Sequence, residues 1–247
     1  MLSKFLKHTA VLLLWLAIWQ AVAIIISAEI IIPTPLSTLK ALLSLAKTNK
    51  FYLAILLSLL RICTGFVAGV VVGFIGALLS DKFGLFSVIF SPVLKVIKAV
   101  PVASFIILAF YWFESSWLPV FICFLMVMPM IWSSVETALK GIDKKYLELA
   151  QVYRLDRIKT FFNIKLPFIL PTFITTTLTA LGFAWKSGIA AEVISKPTLS
   201  LGGMLQDAKI YISTPEVFAI TSVVAIFSIL LEKLVKSIVG RFYNDKN

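Results

Sequence analysis

The chain has 247 residues, 60% of them hydrophobic and only 14% charged, and a mean hydropathy of +1.00. That composition excludes an ordinary water-soluble domain and makes the bilayer its solvent; at about 20 apolar residues per crossing it allows one membrane domain of about five to seven helices, with no room for a soluble catalytic domain. The net charge of +11 is read as Lys and Arg flanking the spans, so no nucleic acid is expected as a partner.

Lys4 and Lys7 precede an apolar run from about Thr9 to Ile32. The run exceeds a signal peptide's apolar region of about 7–15 residues, and no small-x-small cleavage site ends it. It predicts a retained first transmembrane helix. Residues 33–51 are too polar to span, and Leu36, Leu39, Leu42, Leu43 and Leu45 predict a short amphipathic helix at the interface. Further spans are expected at about 53–79, 92–112, 118–139, 167–187 and 216–240, giving an all-α protein of about six transmembrane helices. Residues 188–214 are expected to form a second interfacial, hairpin-like piece that turns at "PTLSLGG".

Charge sets the orientation. Lys4 and Lys7 lie before the first span. Lys140, Lys144, Lys145, Arg154, Arg157, Lys159 and Lys165 fill the loop after the fourth, and Arg241 and Lys246 follow the last. An even number of spans puts all three groups on one side, the cytoplasmic side, with both termini. Lys40, Lys47 and Lys50 form a smaller group on the other.

In the second span Gly65, Gly69, Gly73 and Ala77 recur every four residues. One helix face therefore lets a neighbouring backbone come close, either within the bundle or at a homodimer seam. Arg61 in the same helix must snorkel or find a partner, as a structural anchor or as a charge along a solute path. In the fifth span Thr172, Thr175, Thr176 and Thr179 follow i, i+3, i+4, i+7 spacing, and the stripe continues through Phe183 toward Lys186. These hydroxyls either bond the preceding turn's carbonyls or line a wet cavity or polar helix contact. Lys186 either draws in an anionic solute, or pairs with a carboxylate or snorkels to headgroups. Pro101 and Pro129 fall inside the third and fourth spans and are expected to bend them.

The sequence carries no catalytic equipment. It has no GxxxxGK[ST] loop to cradle nucleotide phosphates. Its single histidine is His8, and no carboxylate pair sits in a plausible pocket. Cys63 and Cys123 lie in apolar spans without a CxxC pattern, so they read as packing residues and no metal site is expected. A proton- or sodium-coupled carrier, the competing class beside a channel or a membrane scaffold, needs carboxylates at midplane, whereas Glu29, Glu114, Glu136 and Glu192 all read as near span ends.

One stretch interrupts the apolar chain: "YLELAQVYRLDRIKTFFNIKLPFILP", residues 146–171. From Lys144 to about Phe162 it holds neither proline nor glycine and reads as helix, with Tyr146, Leu149, Ala150 and Tyr153 as an apolar stripe too short to span. Such a helix either lies on anionic lipid or inserts into a groove of a soluble partner. The stretch resembles the EAA loop of ABC-importer permeases, in which Glu-Ala-Ala is followed by Gly and later by Leu-Pro-x-x-x-Pro. Glu148, Ala150, Phe162, Leu166, Pro167 and Pro171 stand at matching positions. The likeness extends through "SLLRICTGFVAGVVVGFIGALL", "SPVLKVIKAVPVASFIILAFYWF" and "WKSGIAAEVIS" to "SLGGMLQDAKIYISTPEVFA", and is similar to the nitrate/sulfonate/taurine subgroup. Leu149 replaces the usual first Ala and Arg154 the usual Gly, so the helix is expected to run on or bend differently there.

The resemblance implies a type I ABC-importer permease bundle with a cytoplasmic coupling helix. It would be a single permease domain over 1–247: a core at about 52–240, a peripheral first helix at about 9–32 and a coupling loop at about 140–166. The implied partners are ABC ATPase subunits holding the 146–158 helix, an extracytoplasmic solute-binding protein, a second permease copy (a homodimer) and the lipid bilayer. ATP and Mg would sit on the partner ATPase, with no cofactor on this chain. Tyr146, Glu148, Leu149, Ala150, Tyr153 and Arg154 would carry the coupling. Thr172, Thr175, Thr176, Thr179 and Lys186 are the candidate translocation path, and the solute is expected to be a small anion or a vitamin-precursor-like compound.

Overall fold

The structure, a computed structural model, describes residues 2–244, with side chains over 9–237. The side chains of Lys4, Lys7, His8, Arg241 and Lys246, on which part of the charge reading rests, lie outside the described residues. Every regular element among the described residues is helical. In chain order these are α1 (Leu2–Ile26), α2 (Pro35–Ala46), α3 (Asn49–Lys82), α4 (Gly84–Ala99), α5 (Val102–Ala109) and α6 (Leu118–Lys140). They continue with α7 (Lys144–Val152), α8 (Arg157–Thr160), a π-helical turn (Phe161–Lys165), α9 (Leu166–Ser195), α10 (Leu201–Ile210) and α11 (Thr214–Asn244). Among the described residues five helices are long and apolar enough to cross a membrane, or six if α4 and α5 count as one broken span.

The centre of the bundle is α6, packed between α3 and α9. The glycine periodicity of α3 explains the closest of these contacts. A Cβ on Gly65 would stand 2.3 Å from the Val120 carbonyl oxygen, one on Gly69 2.8 Å from Val127 Cβ, and one on Gly73 2.6 Å from the Met128 carbonyl oxygen. The glycine face is therefore covered by α6 of the same chain and is no homodimer seam. Ile62, Val127, Ile131, Val135, Ala180 and Trp185 fill the space around it. At the end of the seam the Trp132 indole donates to Ser80 Oγ at 3.0 Å and stacks on Phe86 at 5.6 Å. Cys123, buried, donates weakly to the Ala184 carbonyl at 3.2 Å, and both cysteines are free thiols.

The third expected span, 92–112, is not one helix. It breaks at Val100–Pro101, and the axes of α4 and α5 differ by 103°. Val100 is extended (φ −78°, ψ 131°) and Pro101 becomes the N-cap of α5. A proline disfavours helical backbone at the residue before it and has no N–H to continue the ladder. Pro129, by contrast, stays inside α6.

Peripheral elements complete the fold. α2 starts where Thr34 Oγ1 accepts the Ser37 amide at 3.1 Å. It turns Leu42 and Leu45 to the core and leaves Leu36, Leu39 and Leu43 exposed, as an interfacial helix should. α1 is held at the margin: the Trp19 indole donates to the Pro33 carbonyl at 3.0 Å and stacks on Phe218 at 5.9 Å. Its outward residues Val11 to Leu16 are all exposed.

Candidate functional site

α7 is a short helix with a stop at each end. Asp143 caps it by accepting the Lys145 amide at 2.9 Å. The expectation that it runs on to about Phe162 fails at Val152. There the Arg154 amide donates to the Gln151 carbonyl at 2.9 Å and the Leu155 amide to the Ala150 carbonyl at 2.8 Å. Arg154 adopts φ 50°, so this is a Schellman cap with a non-glycine residue in the left-handed position. The turn that glycine would supply is made by arginine, at a cost of roughly 1–2 kcal/mol.

Nine residues are enough to give α7 two different faces. Ala150 is 4% exposed; with Leu147 and Leu155 it borders a groove of about 560 Å³ closed by Leu78, Asp81 and Lys82 at the end of α3. Ala150 thus seats the helix on the bundle. Tyr146, Leu149, Val152 and Tyr153 are all more than half exposed, and Glu148 and Arg154 are exposed beside them. An apolar patch with a charged rim suits a protein contact.

The chain returns to the membrane through α8 and the π turn. Asp156 Oδ1 accepts the Lys159 amide at 2.7 Å, and Lys165 pairs with Asp81 at the end of α3. The Leu166 amide donates to the Phe161 carbonyl, five residues back. The wider turn keeps the Pro167 ring clear of the carbonyl four residues back and absorbs its missing donor.

α9 then carries the threonines. Thr172, Thr175 and Thr179 are exposed and Thr176 is half-buried. Thr175 donates to the Pro171 carbonyl at 2.9 Å and Thr179 to the Thr175 carbonyl at 3.1 Å, so these two bond their own helix. Thr176 reaches across to Ser134 Oγ of α6 at 2.6 Å. Thr172 and Thr176, with Ser133, Ser134 and Thr137 of α6 and Lys98 of α4, line an open cleft of about 530 Å³. The face stays uncovered beyond it: Phe183 and Lys186 are exposed, and a Cβ on Gly182 would meet nothing within 4 Å. From Thr172 to Lys186 that face runs about 21 Å at 1.5 Å per residue. Lys98 and the two serines were not singled out in the sequence. The signal was there in Lys98, a charge inside a stretch read as a span.

Lys186 makes no hydrogen bond or ion pair among the described residues, and the sequence reading of Glu192 is corrected. α9 runs on to Ser195 through residues assigned to an interfacial hairpin, and Glu192 lies inside it at 0% exposure. Its Oε2 accepts from Ser58 Oγ at 2.7 Å and from the Gly202 amide at 3.1 Å, and its Oε1 from Arg61 Nη1 at 3.5 Å. Ser58 Oγ in turn accepts the Leu201 amide at 2.9 Å, and Ser200 Oγ the Gly203 amide at 3.0 Å. The first three amides of α10 are thereby satisfied, with a carboxylate at the positive end of the helix. Arg61 also donates to the carbonyls of Thr198 at 3.0 Å and Leu199 at 3.3 Å. It is an anchor joining α3 to the turn before α10. A side chain at Gly202 is excluded, since its Cβ would stand 2.4 Å from Glu192 Cβ. No group of three or more metal-binding side chains occurs among the described residues.

The family described as "Binding-protein-dependent transport system inner membrane component" matches residues 65–245. The chain is similar to the taurine transport system permease protein TauC of Escherichia coli K12, 27% identical over 88% of this chain and 81% of that one. It is also similar to the putative aliphatic sulfonates transport permease protein SsuC of Bacillus subtilis 168 (22%, covering 94% and 84%) and to the nitrate import permease protein NrtB of Leptolyngbya laminosa (25%, covering 76% and 68%). A solved structure described as an amino acid ABC transporter with histidines shares the fold, with a TM-score of 0.65 at 15% identity over 82% of this chain and 97% of that one.

Proposed function

The chain belongs to the binding-protein-dependent transport system inner membrane components, the permeases of ABC importers, and on that premise we propose that it forms a solute path driven by separate ATPase subunits through α7. ATP and Mg are held by those ATPases, which clasp the exposed Tyr146, Glu148, Leu149 and Tyr153. Arg154 sets the turn beside them and Ala150 seats the helix. α7 and both termini face the cytoplasm, and an extracytoplasmic solute-binding protein delivers at the opposite end. A second copy of the chain closes the open face of α9, so that Thr172, Thr175, Thr176, Thr179 and Lys186 border the path between two copies.

The observation that supports this reading is the two-faced build of α7: seated inward by Ala150, capped at both ends, and exposing an apolar patch that nothing among the described residues covers. The solute is a small organic or inorganic anion, such as a sulfonate, taurine or nitrate, or a vitamin-precursor-like compound; the names of the relatives support an anion. The test is Glu148→Arg. A reversed charge against a preformed groove is desolvated and unpaired, at a cost of about 2–5 kcal/mol. The variant is expected in the membrane at wild-type level without the ATPase that copurifies with the wild type. Copurification at wild-type yield would assign α7 to the lipid surface instead.

A further inference from the structure

We propose that the cleft between α4, α6 and α9 is a binding station for a small oxyanion, organised by the Lys98 ammonium; this rests on the permease reading above and gives its path a chemistry. Lys98 stands in the last turn of α4, two residues before the break at Val100–Pro101. The 103° bend turns the chain away at that point and leaves the lysine at the cleft's edge rather than against a continuing helix. Its Nζ donates to Ser133 Oγ. An ammonium has three donors, so two remain.

The surroundings favour an anion and disfavour a cation. Ser133, Ser134, Thr137, Thr172 and Thr176 supply hydroxyls from two helices, and no carboxylate lines the cleft. The acidic group facing Lys98 most nearly is Glu136, which interacts with it electrostatically. One oxygen of that carboxylate, Oε1, is engaged elsewhere, accepting from Ser87 at 2.6 Å and from Lys140 at 2.6 Å, and Lys98 forms no ion pair among the described residues. A structural lysine in an apolar bundle is expected to pair with its carboxylate, as Arg61 does with Glu192. Lys98 instead presents its charge to open space. The volume of about 530 Å³ holds a small anion and several waters, each taking roughly 30 Å³.

The position fits a station on a path. The cleft occupies the half of α9 nearer α7, and Lys186 stands on the same open face in the far half. The two lysines bracket the threonine stripe, so an anion passing along it meets a cation at each end with hydroxyls between. Lys186 is likewise exposed and makes no hydrogen bond among the described residues, whereas Lys98 shares its cleft with hydroxyls from two helices. Lys98 is the residue expected to discriminate between charges.

The test reads charge at the cleft without requiring turnover. In the permease assembled with its ATPase in inside-out membrane vesicles, Cys63 and Cys123 are replaced by alanine and Thr172 by cysteine. Labelling rates are compared for a sulfonate-bearing and a quaternary-ammonium thiol reagent of similar size. The anionic reagent is expected to react faster. Millimolar sodium methanesulfonate should slow it severalfold, and sodium chloride at equal ionic strength should not. Lys98→Gln is expected to lower the anionic-to-cationic rate ratio severalfold and remove the protection, while Lys98→Arg keeps both. An unchanged ratio in Lys98→Gln overturns the proposal. So does absent methanesulfonate protection with Lys98 intact, which needs no substitution at Lys98, or equal protection by chloride, which marks ionic screening only. Failure of the permease reading itself would appear separately, as wild-type chain that recruits no ATPase.

Discussion

The glycine face of α3 and the threonine face of α9 are written in the same arithmetic, residues three and four apart on one side of a helix, yet one is closed by a neighbouring helix and the other is open. Spacing establishes that residues share a face; what they are decides how the face is used. Glycine removes the side chain, so the neighbouring backbone of α6 comes within 2.3 Å of where a Cβ at Gly65 would stand. Threonine keeps a hydroxyl that can satisfy itself on the preceding turn, as Thr175 and Thr179 do. Such a face does not require a protein partner and tolerates water. α7 compresses the same contrast into nine residues, with Ala150 buried beside the groove at the end of α3 and Tyr146 and Leu149 open.

An open face is stable only if the rest of the helix is held, and the Glu192 cluster holds α9. The largest effect is therefore expected from Glu192→Ala, which leaves the Ser58 hydroxyl and the Gly202 amide without their acceptor and Arg61 without its carboxylate partner. Breaking a buried pair in this way costs about 3–5 kcal/mol, to be measured as loss of thermal stability in detergent. Glu192→Gln, which keeps an acceptor for Ser58 and Gly202, should lose distinctly less. Equal losses would mean that the charge alone, rather than the shape and the retained acceptor, fixes α9.

Next in size is a matched pair of glycines. Gly69→Leu drives a side chain into Val127 and should destabilise by about 1–3 kcal/mol or more. At Gly182 on the open face an added Cβ would meet nothing within 4 Å, and Gly182→Leu should leave chain stability within about 0.5 kcal/mol. Thermal melts of the two variants at equal concentration would erase the comparison if they shifted together. The smallest effect is expected at α7: Arg154→Gly removes the left-handed penalty and should stabilise the turn by about 1 kcal/mol, read as slower hydrogen exchange at the Arg154 and Leu155 amides.

These residues also mark where the sequence could be read and where it could not. The spans now seen as α3, α6 and α11, the interfacial α2 and the start of α7 were legible, because apolar runs and four-residue spacing are local signals. The end of α7 was not, because a Schellman cap announces itself by glycine and here an arginine adopts that backbone. Pro101 and Pro129 look alike in sequence. Only the extended backbone at Val100 separates a broken span from a helix that carries its proline through. Glu192 read as the exit from the membrane because a carboxylate in an apolar run suggests an end. Its partner Arg61 lies 131 residues away, and no local pattern joins them. Lys98 shows in the sequence as a charge inside an expected span, but its hydroxyl neighbours come from two other helices and no local pattern joins them to it.

The central claim is that the open face of α9 is a solute path whose exposure is set by ATP through α7. The most direct measurement is the labelling rate of Thr179→Cys, in a background lacking Cys63 and Cys123, by a water-soluble thiol reagent in the assembled complex with and without MgATP and vanadate. Ala180→Cys serves as the buried control, since Ala180 is 0% exposed. The account predicts a severalfold change at Thr179→Cys on trapping the ATPase, abolished by adding Glu148→Arg, with slow labelling at Ala180→Cys throughout. A rate at Thr179→Cys that is the same in both states, or that matches Ala180→Cys, would contradict it.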